Sequence, residues 1–146
     1  MSVAKETINT FLVEVFHDVL RLESENIRQS GCSDLSVSEM HLLEAAAQDE
    51  HGCGMGTLAE RLSLSAGSVT TAVKALVRKG YLERTRCEED RRRVIVTLTP
   101  KATEALTRHR RFHEQLVDSI ATRLDDDALT SLGDALSILH HFFRTL

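Results

Sequence analysis

Apolar positions along the chain change period several times, and each change marks a boundary between elements. Between residues 5 and 29, Ile8, Phe11, Leu12, Val15, Phe16, Val19, Leu20 and Leu22 recur at helical spacing as one broad stripe. Gly31 and the cluster Cys32-Ser33-Asp34 close that helix. A second helix is expected to begin after Ser36 or Ser38, with Glu39 in its first turn, and to run through Ala47. HGCGMG, residues 51–56, reads as a glycine-rich break. A short helix from Thr57 to Leu62 and the turn Ser63-Leu64-Ser65 follow, with Ser65 as N-cap of a helix from Ala66 to Lys79 that Gly80 terminates.

The period then drops to two. Tyr81 to Arg84 reads as a strand, and the charged stretch Thr85 to Arg93 turns the chain. Val94, Val96 and Leu98 alternate with Ile95, Thr97 and Thr99 as the second arm of a hairpin. Pro100 sits where a helix begins. Ala105, Leu106, His109, Phe112, Leu116, Ile120 and Leu124 mark the stripe of a long helix. Asp125-Asp126-Asp127 supplies an N-cap and negative charge for a final one. In that last helix Leu129, Leu132, Leu136, Leu139, Phe143 and Leu146 recur in steps of three and four, a heptad-like seam that invites a partner helix. The order predicts a mainly α (α+β) fold: helices, a helix-turn-helix, a two-stranded wing, and two long helices.

Composition narrows the setting. At 146 residues, 42% apolar and 27% charged, the chain has the size of one globular domain, 1–146. No apolar run approaches the ~18 residues of a membrane span, and MSVAKETINTF shows no secretory leader pattern. Three cysteines without tight spacing argue against a disulfide scaffold, so the expectation is a cytoplasmic protein with no membrane partner.

Net charge is −4, but it is unevenly spread. From Arg61 to Arg111 there are 13 Lys/Arg against 5 Asp/Glu, a local +8, while the remainder carries −12. The middle is therefore built to meet a polyanion. In the helix from Ala66, Val69, Val73, Leu76 and Val77 fall on one side. The other side carries Gly67, Ser68, Thr70, Thr71, Lys74 and Arg78. A helix of this kind fits the ~12 Å-wide major groove of DNA, with Ser65 and the small residues of its first turns near base edges. Directly behind it lies the hairpin tip with Asp90, Arg91, Arg92 and Arg93. An enzyme is not indicated. HGCGMG lacks the preceding strand and the following Lys-Ser/Thr of a phosphate loop, and no nucleophile–base arrangement emerges.

The run LAERLSLSAGSVTTAVKALVRKGYLERTRCEEDRRRVIVTLTPKA, residues 58–102, closely resembles the winged helix-turn-helix core of MarR-type transcriptional regulators. Asp90-x-Arg92 followed by a strand ending Leu98-Thr99 is its most specific part, with Lys79-Gly80-Tyr81-Leu82-Glu83-Arg84 in front. The resemblance implies a winged helix-turn-helix over 36–100, with dimerisation helices at 1–30 and 101–146. It implies an intertwined homodimer, closed by residues such as Ile8, Phe11, Leu12, Leu132, Leu136, Leu139 and Phe143. Such a dimer reads a pseudo-palindromic double-stranded operator, usually as a repressor. In that scheme Arg92 enters the minor groove, Asp90 orients it or buttresses the turn, and Arg91 and Arg93 make groove or phosphate contacts. The third arginine, Arg93, departs from the common pattern. A winged helix that binds protein rather than DNA is the remaining alternative.

INTFLVEVFHDVLRLESENIR, LSVSEMHLLEA and HRRFHEQLVDSI are similar to one branch of the family, the repressors of fatty-acid biosynthesis genes that respond to acyl-carrier protein. On that likeness Phe16, Leu20, Met40, Leu43 and Phe112 would line an acyl pocket, and Arg108, Arg110 and Arg111 would attract an acidic carrier. For any one of the five taken alone, a place in the core is the plainer reading. A second option is zinc: His109 and His113 are four apart on one helix face, and Glu23 and His41 lie in segments the family packs nearby. The lack of a matching Cys32–His41 spacing counts against it, so the sequence assigns no cofactor and no metal. A thiol switch at Cys32, Cys53 or Cys87 is the third, weakened by Glu88, Glu89 and Asp90 beside Cys87.

Overall fold

A computed structural model describes residues 2–146. Its elements are α1 (Val3–Thr10), a π-helical segment (Phe11–Val15), α2 (Phe16–Gln29), α3 (Val37–Ala46), β1 (Cys53–Gly54), α4 (Met55–Leu62), α5 (Ala66–Arg78), β2 (Leu82–Arg86), β3 (Val94–Leu98), α6 (Pro100–Ala121) and α7 (Asp126–Arg144). The predicted N-terminal helix is thus one helical run interrupted by a wider turn. No helix among the described residues is long and apolar enough to cross a membrane.

The caps explain the boundaries. Ser36 begins α3 through a capping box: its Oγ accepts from the Glu39 N–H at 3.1 Å and its own N–H donates to Glu39 Oε1 at 3.0 Å. Ser65 Oγ accepts from the Ser68 N–H at the head of α5, and Asp125 Oδ1 accepts from the Ala128 N–H at the head of α7. Gly80 takes φ +85° just beyond α5, as a left-handed helix terminator does.

The wing is part of a three-stranded antiparallel sheet in the order β1-β3-β2, where the hairpin pattern predicted two strands. β3 pairs Arg86↔Val94 through Leu82↔Leu98 on one side, and Cys53↔Val96 and Gly54↔Ile95 on the other. The residues read as a glycine-rich break therefore include a short strand. Arg61 holds that loop, donating to the Ala45 carbonyl at 2.9 Å and to Asp49 Oδ2 at 2.8 Å, with Cys53 Sγ at 3.5 Å. Gly52 is required there: its φ is +118°, and a Cβ would lie 3.0 Å from Ile95 Cδ1.

The chain divides into two compact units, one ending at His109 and one spanning Arg110–Leu146. The first has the core: Ile27, Met40, Leu42, Leu43, Leu58, Val69, Val73, Leu76, Tyr81, Leu82, Val96, Ala105 and Leu106 are buried together. In the second unit α7 buries none of its residues, and Leu129, Leu132, Leu136, Phe142 and Phe143 are exposed. Val3, Ile8, Phe11, Leu12, Val15 and Phe16 at the other end of the chain are exposed as well.

Gly80 offers a clean test of the α5 terminus, because a Cβ there would meet nothing within 4 Å. Gly80→Ala should cost about 1–2 kcal/mol from the left-handed conformation alone. An unshifted urea midpoint would show that the position does not hold that conformation.

Candidate nucleic-acid interface

α5 is set by its two faces. Val69, Val73 and Leu76 are completely buried, which fixes the rotation of the helix about its axis. Gly67, Ser68, Thr71, Lys74 and Arg78 are exposed on the other side, and Thr70 is half-buried. Ser65 Oγ also donates to Ser68 Oγ at 2.9 Å. The hydroxyls of Thr70 and Thr71 donate to the carbonyls of Ala66 and Gly67, at 2.9 and 3.1 Å, which leaves their methyl groups and oxygen lone pairs for an outside partner. Gly67 has open space around its missing side chain, so a large body can approach the backbone closely. A tight turn leads into this helix: Ser63 adopts φ +53° after α4, and the Leu64 N–H donates to the Ala59 carbonyl.

At the tip of the wing the Cys87 N–H donates to the Arg93 carbonyl, and the Arg93 N–H to the Asp90 carbonyl, both at 2.9 Å. Asp90 Oδ1 accepts from the Arg92 backbone N–H at 3.0 Å, an Asx-type turn. Of the two roles open to Asp90 in the sequence, this contact serves the second, buttressing the turn. Arg86 Nη1 donates to the Arg91 carbonyl at 3.3 Å. The side chains of Arg91, Arg92 and Arg93 are exposed. Arg93 is distinctive in that its Nη2 lies 3.6 Å from where a Cβ on Gly54 would be. With Arg92 it lines a shallow groove against Gly54, Met55, Gly56 and Thr57 at the start of α4. The sequence pattern did not mark that edge, because its glycines read as a loop rather than as a strand paired to the wing.

The residues assigned to an acyl pocket are dispersed in environment. Met40 and Leu43 are fully buried in the core, Phe16 is 60% exposed, and Leu20 and Phe112 are half-buried, Phe112 in the second unit. The polar cluster is better gathered. Glu23 from α2, His41 from α3 and His109 from α6 place one donor atom each within 4.8 Å of the others. His41 Nε2 lies 3.5 Å from Glu23 Oε2, and His109 Nε2 lies 3.9 Å from Glu23 Oε1 and 3.0 Å from Glu44 Oε1. Glu23 and His109 are buried, so a carboxylate there requires such partners. Glu44 was missed in the sequence, although its place three residues after His41 puts both on one helix face. His113 belongs to the second unit.

The thiols are poorly placed to react. Cys32 and Cys53 are buried and Cys87 is half-buried. Burial, with a hydrogen bond to Asp49, pushes the Cys53 thiol up to about 11, so the reactive thiolate is disfavoured at neutral pH. Tyr81 is raised above its ordinary value by burial and by its bond to Asp34. For Glu39 partial burial pushes upward, but hydrogen bonds from Lys79 and Ser36 outweigh it and hold the carboxyl below its ordinary value.

Comparison with known proteins is consistent with this geometry. A profile of the MarR family matches residues 35–94. The crystal structure of Streptococcus pneumoniae FabT in complex with DNA superimposes with a TM-score of 0.92 at 33% identity, over 97% of this chain and 98% of that one. The transcriptional regulator ZitR of Lactococcus lactis subsp. cremoris is 29% identical over 132 residues, 88% of this chain and 86% of its own length. The HTH-type transcriptional regulator YwhA of Bacillus subtilis is 33% identical over 75 residues, 51% of this chain, so that the match spans only about half (54%) of YwhA. These relatives are transcriptional regulators rather than enzymes.

Proposed function

The chain belongs to the MarR family, and from that premise we propose that it is a dimeric, sequence-specific DNA-binding repressor of fatty-acid biosynthesis genes. The observation that carries the DNA reading is the joint exposure of the α5 outer face and the arginine tip of the wing, in a segment of local charge +8 within an acidic chain. Residues of α5 would meet base edges in the major groove, while Arg92 and its neighbours reach the minor groove or phosphates. That the similar FabT was solved in complex with DNA supports the DNA-binding reading as a whole. The exposed apolar residues at both chain ends support a two-fold partner, since surfaces of this kind are covered in stable proteins.

The fatty-acid assignment, with acyl-carrier protein as effector, rests on the sequence likeness of residues 8–28, 35–45 and 109–120 to that branch. A second reading is favoured by one observation, the gathering of Glu23, His41 and His109. One carboxylate and two imidazoles suit zinc, which would supply a fixed charge and a tie between α2, α3 and α6. Half-exposed His41 gives access to the group, with 42% of its side chain open to solvent.

Three outcomes are expected. The wild-type protein should select a duplex from a random-sequence pool and bind it with a steep, linear fall of log K against log salt; flat or absent binding overturns the DNA reading. Arg92→Ala should weaken that complex by about 1–3 kcal/mol with its thermal melt unchanged, and equal affinity would remove Arg92 from the interface. Leu136→Glu should convert a dimer to monomer or unfolded chain in sedimentation, whereas a folded dimeric variant would refute the α7 seam. Titrating the DNA complex separately with acylated carrier protein and with zinc decides between the effectors. A zinc response that His41→Ala and His109→Ala both abolish selects the second reading, and no response to either titrant sinks both.

A further inference from the structure

The inner stripe of α5, Val69, Val73 and Leu76, sets its rotation, and a second device holds its C-terminal end. Lys79, the C-cap, donates from Nζ to Glu39 Oε1 and Oε2 at 2.9 Å each and to the Asp34 carbonyl at 2.6 Å. An ammonium has three protons, so these acceptors saturate it, in contrast to exposed Lys74 and Arg78 on the same helix. Glu39 is itself immobilised by the capping box with Ser36 in the first turn of α3. The Lys79 carbonyl accepts from Lys101 Nζ at 2.9 Å, and Lys101 Nζ stands 4.3 Å over the ring of Tyr81. The Tyr81 hydroxyl donates to Asp34 Oδ1 at 2.7 Å. The junction of α5 and β2, from which both the helix and the wing depart, is thereby tied to the start of α3 and the start of α6. Glu39 also borders the open groove beside Gly67, Ser68 and Thr71, the residues placed nearest to bases.

We infer that the Glu39–Lys79 pair is a clasp that positions the recognition helix, and that both residues determine operator specificity without contacting DNA themselves. The inference rests on the DNA reading above. Its physical content is a sign. On charge alone, removing the carboxylate of Glu39 beside the interface should strengthen binding to every duplex. The clasp requires the opposite for the selected sequence, because an α5 C-terminal end free to shift tilts the helix axis and with it the base-facing first turns, while backbone contacts adapt.

The test compares wild type, Glu39→Gln, Lys79→Met and the double variant on the selected duplex and on a scrambled duplex of equal composition. Gln at this position preserves the capping box, and circular dichroism melts set a temperature at which all four chains are folded. The expected result is a loss of about tenfold in the selected-to-scrambled affinity ratio for each single variant. The double variant should lose no more than either single one, and the salt slope of Lys79→Met should equal that of wild type. Tighter or unchanged selective binding by Glu39→Gln overturns the clasp. So does a salt slope reduced by about one in Lys79→Met, which would mark a phosphate contact instead. A wild-type protein without salt-dependent duplex binding fails earlier, and overturns the DNA reading itself.

Discussion

The outer face of α5 can address a partner only because its inner face is dry. Val69, Val73 and Leu76 are wholly excluded from water, and burial of each such side chain is worth about 1.5–3 kcal/mol. With 3.6 residues per turn, seating those three dictates the azimuth of Gly67, Ser68, Thr71, Lys74 and Arg78. The sheet follows from the same seating. Tyr81 and Leu82 enter the core directly after Gly80, so β2 starts from a fixed point, β3 is paired in register with β2, and β1 with the other edge of β3.

Much of this was legible in the sequence, for identifiable reasons. The switch from period 3.6 to period 2 at Tyr81 located the wing, and Ser65, Gly80, Pro100 and Asp125 located helix ends, because caps are local chemistry, while Ser36 and Ser38 stayed open until the structure chose Ser36. The third strand was not legible. Cys53-Gly54 is too short for alternation to register, and its partners Ile95 and Val96 lie far along the chain. The Lys79–Glu39 bond escaped for the same reason: Glu39 reads as a first-turn acid and Lys79 as the end of a helix until α3 and α5 are brought together. The Glu23–His41–His109 group was partly legible. Helical spacing marked His109 with His113, and the family resemblance put Glu23 and His41 nearby, while the place of Glu44 required the tertiary structure.

Charge is arranged by the same logic of separating structural from available groups. Several basic residues of the middle segment are consumed internally: Arg61 by Asp49 and the Ala45 carbonyl, Lys79 by Glu39 and Asp34, Lys101 by Tyr81 and the Lys79 carbonyl. Lys74, Arg78, Arg91, Arg92 and Arg93 are exposed. The local excess of positive charge therefore exceeds the charge left available to a partner, and the hydrogen-bond partners separate the residues that hold the fold from those presented outward.

The turn made by Asp90 has a thermodynamic corollary. The tip is closed by its own carboxylate and two backbone bonds within the chain alone. If these arginines make the DNA contacts proposed above, association carries the entropy loss of immobilising their side chains, about 0.5–1.5 kcal/mol each, on a turn whose backbone is already hydrogen-bonded. In the complex proposed above, a tip closed in this way needs no folding step to engage.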